Sequence, residues 1–239
     1  MELKVMTFNI RHGRGMDRKV DLKRICKIIS DSNADIIGLN EVDKKYSKRS
    51  GFVDQLKEMA DQLKYDYFFS PSLTISSKKH HFLRQYGNGI LSRYPIQRAK
   101  VHSFSLLKGI TEGRSLLETS IKIGNKNINV FVTHLSLFSL LHKMQSTFIL
   151  NHVKGPSILM GDWNMRPYSK KWENIVRSFR DVWTEVSMGN GYTYPSKRPR
   201  MRLDYIFVSK EFDIIDAQVI TADPVASDHL PFLSILSIH

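Results

Sequence analysis

The chain has 239 residues, 41% of them hydrophobic and 25% charged, the balance of a folded globular protein long enough for one large domain or two small ones. Its apolar runs are strand-sized, which excludes a membrane-spanning helix, and no repeat or low-complexity tract interrupts the pattern. Thirty-six Lys and Arg against 23 Asp and Glu leave a formal charge of +13, a field that attracts nucleic acid, anionic lipid surfaces or phosphorylated small molecules without choosing among them.

Met1 to Val5 run directly into a strand pattern and lack the basic, apolar and cleavage regions of a signal peptide. The single cysteine, Cys26, has no internal disulfide partner, so the cytoplasm is the expected compartment. Leu3, Val5 and Phe8 belong to a first strand that ends at Asn9. Asp21 then caps a helix whose apolar residues, Leu22, Ile25, Cys26, Ile28 and Ile29, recur at helical spacing. Ile36 to Leu39 form a second buried strand that delivers Asn40 and Glu41 to its end. A helix from about Val53 to Leu63 leads to a strand at Tyr65 to Phe69, and the polar, basic stretch from Ser70 to Gln85 reads as a long surface loop.

Gly87 to Ile96 gives a strand and a proline-marked turn, followed by a strand into Val101 and Phe104. Ser115 to Ile123 and Ile128 to Thr133 alternate around Gly124 to Asn127, a hairpin signal, and the second strand ends in His134. A helix from about Leu140 to His152 precedes the apolar run Ile158 to Met160, a short buried strand. Gly161 lets the chain turn sharply there, and Asp162 and Asn164, one residue apart, share a face if the backbone stays extended. The same residues are ordinary turn formers. A helix around Trp172 to Phe179, a strand at Met201 to Val208 carrying Asp204, and strands at Ile214 to Ile220 and Phe232 to Ile238 complete the chain. Asp228 and His229 lie in the last turn.

Polar residues with catalytic potential therefore sit at strand ends along the whole sequence: Asn9, Glu41, His134, Asp162 with Asn164, Asp204, and Asp228 with His229. Each alone has a structural explanation as a cap, a turn residue or a satisfied histidine. Together they occupy the places where layered α/β proteins collect their sites.

Seven segments, in order, resemble the endonuclease/exonuclease/phosphatase superfamily: Thr7 to Ile10, Gly38 to Asp43, Gly87 to Ile96, Thr133 to Leu135, Gly161 to Asn164, Leu203 to Ile206 and Ser227 to Pro231. Each motif is weak alone, whereas the ordered set, running from Thr7 to Pro231, is specific. The resemblance implies one catalytic domain over residues 1–239, built as a four-layered α/β sandwich with two mixed sheets face to face and helices outside. It also implies Mg²⁺-dependent hydrolysis of a phosphoester, with Mn²⁺ as an alternative ion. Asn40 departs from the family pattern, which more often has Gln before the metal-binding Glu.

On that resemblance, Glu41 is the primary ligand, Asn9 supports the ion through its amide oxygen or a bound water, and Asp228 is a direct or indirect metal partner. His229 is a candidate general base, with Asp204 or Asp162 orienting its ring, while Asp162 is close enough to the scissile phosphorus to position the water itself. Asn164 donates to a phosphoryl oxygen, His134, if protonated, stabilises developing charge, and Arg114 makes a phosphate contact. His134 separates the chain from the abasic-site endonuclease branch. It aligns the chain with pancreatic-type deoxyribonucleases, sphingomyelinase-like phospholipases and inositol-phosphate phosphatases, and the chain looks most like small bacterial metal-dependent hydrolases. The expected partner is an anionic phosphoester: a nucleic acid, a lipid head group or a small molecule. A nuclease is the narrower alternative, and an inactive polyanion-binding module the alternative from another class. Basic clusters lie at Lys44, Lys45, Lys48 and Arg49, at Lys78, Lys79 and Arg84, and at Lys197, Arg198, Arg200 and Arg202. The last precedes the strand of Asp204 and is expected to overhang the site.

Overall fold

The computed structural model describes residues 1–77, 80–104, 113–186 and 189–238. The first half comprises β1 (Glu2–Asn9), α1 (Leu22–Ser32), β2 (Ile36–Lys44), α2 (Gln55–Leu63), β3 (Asp66–Ser77), β4 (His80–Ser92) and β5 (Ile96–Ser103). The second comprises β6 (Ser115–Ile123), β7 (Lys126–His134), α3 (Ser139–His152), β8 (Ser157–Asp162), α4 (Lys170–Val176) and β9 (Arg180–Asp181). It ends with α5 (Val182–Val186), β10 (Asp204–Val208), β11 (Phe212–Val219) and β12 (Phe232–Ile238). Among the described residues the strands form two six-stranded sheets, ordered β11-β12-β1-β2-β4-β3 and β5-β6-β7-β8-β10-β9. The β1–β2 and β7–β8 pairs are parallel and the remaining pairs antiparallel, so both sheets are mixed.

Period-two alternation builds the layers. Val5, Ile36 and Ile90 of the first sheet meet Val130, Val132, Ile158, Met160, Ile206 and Val208 of the second in one core between the sheets. Their neighbours face outward. Met6, Phe8, Ile37 and Leu39 pack under Ile25 and Ile29 of α1 and Leu56 and Met59 of α2. On the far side, Phe131, Leu159 and Phe207 pack under Ile149 of α3 and Ile175 of α4. The result is the expected four-layered sandwich with helices outside. Asp21 caps α1 by accepting from the backbone N–H groups of Lys23 and Arg24, as the sequence predicts.

Two expectations need correction. The described residues of this stretch, 70–77 and 80–85, do not form a surface loop. They belong to the β3–β4 hairpin, whose register runs from Asp66 opposite Ser92 to Ser77 opposite His80. β3 is an edge strand with part of each face in solvent, so backbone pairing holds it and no clear alternation marks it. Lys78 and Lys79 of the nearby basic cluster lie outside the described residues. Gly161, in turn, does not make a sharp turn but stays in β8, paired with Thr133 on one side and Tyr205 on the other. Its φ of 139° and an approach that would put a Cβ 1.9 Å from the Thr133 carbonyl oxygen are what require glycine.

Candidate active site

The inward-facing register of each central strand runs out of apolar residues at the same edge. In β7 the series Val130, Val132 ends in His134; in β8, Ile158, Met160 ends in Asp162; in β10, Val208, Ile206 ends in Asp204. His134 pairs with Asp162, and Asp162 with Asp204, so the three form one row across the second sheet. Asn9 pairs with Asn40 in the facing row of the first sheet.

Glu41 does not fit this alternation, since the regular pleat would turn it to the outer face. A bulge in β2 between Leu39 and Val42, with Glu41 at φ 58°, brings it round so that the Asn9 amide donates to its Oε1 at 3.0 Å. The same amide donates to Asp162 Oδ2 at 3.2 Å, while its oxygen accepts from the Arg11 N–H at 3.1 Å. In this arrangement Asn9 gives its nitrogen to the site; offering its oxygen to an ion, as the resemblance implied, requires the amide to turn over.

Asp162 is the hub. Its Oδ2 lies 3.5 Å from His134 Nε2 and 3.8 Å from His229 Nε2, and its Oδ1 accepts from the Asn164 N–H at 3.0 Å. His229 Nδ1 sits 2.8 Å from Asp204 Oδ2. Arg114, buried beside this row, lies 3.4 Å from His134 Nδ1. Asn164 departs from the extended conformation at φ 46°, so it does not share a strand face with Asp162. Its amide donates instead to the Leu135 carbonyl at 2.9 Å, leaving one N–H for a ligand. Asp228 stands at the rim, 3.3 Å from the Arg11 guanidinium.

Burial and charge drive these groups apart. Burial pushes the Asp162 carboxyl up to about 7, with His229 opposing the rise and Asp204 adding to it. Burial works against charge on His229, but Asp204, Asp162 and Asp228 together carry it up to about 10. His134 is held well below the ordinary range by burial and by the Arg114 and His229 charges. These effects favour the neutral ring, with Nδ1 accepting from Arg114 and the proton on Nε2 toward Asp162, so the charge-stabilising role that the resemblance implies for a protonated His134 runs against its surroundings.

The donor set suits a divalent cation. Glu41, Asp162, Asp204 and Asp228 supply carboxylate oxygens, and Asp204 Oδ1 is buried with no hydrogen-bond partner among the described residues. Asp162, Asp204 and His229 bring ligand atoms within 4.8 Å of one another. A buried carboxylate oxygen left without a hydrogen-bond partner favours a bound positive charge.

Sequence reasoning set Asn40 aside, yet its side chain joins the two sheets at the site. Its oxygen accepts from the Asp162 N–H at 2.8 Å, and its nitrogen donates to Asn88 Oδ1 and the Thr133 carbonyl. A wholly buried amide at the inner register of an apolar strand was the available signal. Tyr194 was also missed; its ring lies 4.8 Å from that of His229. The segment around it is tied down where the Ser196 N–H meets the Asp228 carbonyl and the Leu230 N–H meets the Thr193 carbonyl. Lys197, Arg198 and Arg200 of that segment are exposed. Arg202 is not part of the overhang. It is 2% exposed and paired with buried Asp181.

A family model described as endonuclease/exonuclease/phosphatase matches residues 6–229. The chain belongs to this family. Members are hydrolases of phosphoesters and are generally dependent on divalent metals. The uncharacterized protein YbhP of Escherichia coli K12 is 24% identical over 246 residues, spanning 95% of this chain and 93% of its own. Among solved structures, an endonuclease/exonuclease/phosphatase from Beutenbergia cavernae superposes with a TM-score of 0.87 at 26% identity, covering 99% of this chain and 72% of that one. The mannosyl-6-phosphatase Bt3783 of Bacteroides thetaiotaomicron shares the fold with a TM-score of 0.78 at 20% identity, covering 99% of this chain and all of its own. No helix of the described residues is long and apolar enough to cross a membrane.

Proposed function

We propose that the chain is a divalent-metal-dependent phosphoesterase that cleaves its substrate by in-line attack of water at the strand-edge site. The observation that carries this reading is the position of Asp162, one carboxylate within 4 Å of two histidines and bonded to the amide that also holds Glu41. Glu41, with Asn9 and Asp228 beside it, would hold Mg²⁺ or Mn²⁺, which would supply positive charge at a phosphoryl or leaving oxygen.

The protein's own groups divide the remaining work. Asp162 orients the attacking water and accepts its proton, a role suited to a carboxyl raised to about 7 by burial. His229 lies between Asp204 and Asp162 and keeps its proton, so it donates to the phosphoryl group in preference to accepting from water. The free N–H of Asn164 points a further donor at a phosphoryl oxygen, and Arg114 with His134 fixes the far side of Asp162. The test is a panel of duplex DNA, RNA, phospholipids, inositol phosphates and sugar phosphates with Mg²⁺ or Mn²⁺. Absence of hydrolysis across the panel overturns the proposal. Activity on the substrate found is expected to vanish with EDTA and to return with either ion, and full activity after exhaustive chelation overturns the metal requirement.

The substrate class has its own readout. Lys197, Arg198 and Arg200 are exposed on the segment whose Tyr194 contacts His229, and Arg166, Tyr192 and Arg200 line a cavity of about 600 Å³ next to it. On a polymeric substrate, Arg198→Glu with Arg200→Glu is expected to lower turnover. DNA binding by the wild type should then weaken with salt at a slope of about −0.9 per phosphate contact. On a small phosphoester the salt dependence stays shallow. Unchanged turnover of both kinds of substrate assigns these residues to solvation alone.

A further inference from the structure

On the outer face of the second sheet, away from the strand-edge site, three side chains from three elements meet: His102 of β5, Glu118 of β6, and His152, the last residue of α3. Both imidazoles bring Nε2 to the same carboxylate oxygen, Glu118 Oε2, at 2.6 Å from His102 and 2.9 Å from His152. The three ligand atoms lie within 4.8 Å of one another. A carboxylate has two oxygens and room to receive two neutral donors separately. Convergence on one oxygen instead gathers three atoms able to offer lone pairs around a single point.

The surroundings hold this geometry. Phe148 stacks on the His152 ring at 5.3 Å and lies 5.5 Å from His102, and the two imidazoles are 4.4 Å apart. Glu118 and His152 side chains are each 31% exposed, which leaves an approach for an ion and for water, while His102 is nearly covered. The carbonyl end of α3 adds negative potential at His152. Burial raises the Glu118 carboxyl, but the hydrogen bonds from His152 and His102 more than reverse that and favour its charged form.

We propose that His102, Glu118 and His152 form a second metal site, separate from the hydrolytic centre, for a borderline divalent ion of the Zn²⁺ class. Two imidazole nitrogens and one carboxylate oxygen suit such an ion, whereas Mg²⁺ prefers a shell of oxygens. Loading requires each ring to carry its proton on Nδ1 so that Nε2 offers a lone pair. At metal–ligand distances of about 2.0–2.2 Å, donors in a tetrahedral site stand roughly 3.3 Å apart, so the present contacts open by a fraction of an ångström and water takes the fourth position. The ion clamps the end of α3 to β5 and β6 and stabilises the fold by mass action.

Zn²⁺ alone is the probe, and the strand-edge site is disabled by Glu41→Ala with Asp162→Ala so that the two sites are read separately. In that background one equivalent of Zn²⁺ is expected to bind and to raise the midpoint of thermal unfolding, and Co²⁺ is expected to give the visible bands of a four-coordinate ion. Adding His102→Gln with His152→Gln should weaken this binding by at least the about 10–100-fold that loss of even an outer-shell partner removes, and should abolish the bands. Glu118→Gln, which keeps the shape, should do the same if the double histidine variant folds poorly. In the otherwise native chain, His152→Gln should leave metal-dependent phosphoester hydrolysis unchanged. Zn²⁺ binding and thermal shift that survive both the histidine and the Glu118 substitutions overturn the site, and this result leaves the hydrolytic reading untouched.

Discussion

Asp162→Asn is expected to lower turnover by about 10²- to 10³-fold or more, the loss typical of removing one polar group from a preorganised site. The substitution keeps the size of the side chain and its acceptance from the Asn164 N–H, while replacing the carboxylate oxygen that faces Asn9, His134 and His229. It also removes a buried carboxyl from beside Asp204, so the fold should be at least as stable as the wild type's. The diagnostic pattern is therefore lost turnover with retained or increased thermal stability. Glu41→Ala should lose activity to a similar extent, and an excess of Mg²⁺ should restore part of it only if Glu41 acts through the ion. Near-wild-type turnover for Asp162→Asn on the true substrate would remove Asp162 from the reaction.

Most of the frame was legible because it follows from alternation. Val130, Val132 and His134, or Ile158, Met160 and Asp162, are one register read to its end, so a strand assigned within a residue or two predicts which face its last polar group takes. Asn9, His134, Asp162 and Asp204 were recoverable in this way, and the ordered motifs supplied the rest of the grouping. The failures occur where tertiary contacts set the backbone. Glu41 reaches the site through a bulge, and Asn164 leaves the strand at positive φ; neither conformation has a period. α3 shows a different failure. Its sequence reads as a helix, but Leu140, Met144 and Phe148 face outward at 71%, 45% and 39% exposure, while His142 and Gln145 are buried. His142 Nε2 meets the Trp163 carbonyl and Gln145 receives the Ser136 N–H, so the polar side chains are drawn inward by backbone groups around the site loops. Helical spacing located the helix and gave no information about which face it buries.

Arg202 is the residue whose reassignment has the largest energetic consequence. Its guanidinium makes two hydrogen bonds with Asp181, at 2.8 and 3.3 Å, and stacks over Tyr205 at 4.8 Å. Asp181 also receives the Trp172 indole N–H at 2.6 Å and the Trp183 backbone N–H at 3.1 Å. Both oxygens of this carboxylate thus accept hydrogen bonds inside the protein, and its partner Arg202 lies two residues before the strand that delivers Asp204. Arg202 Nε is buried without a hydrogen-bond partner among the described residues, so the Asp181 pairing is what compensates its charge. Asp181→Ala should destabilise the fold by about 3–5 kcal/mol, the effect of leaving one member of a buried ion pair alone. The double replacement Asp181→Leu with Arg202→Met should recover much of that loss, because an apolar pair of similar volume carries no desolvation penalty. Urea unfolding of the single and double variants measures both values. If the single variant unfolds at the wild-type denaturant midpoint, the buried pair contributes nothing to stability. If Asp181→Ala destabilises the fold as expected and also lowers turnover beyond its unfolded fraction, the pair further serves to position Asp204 beneath His229.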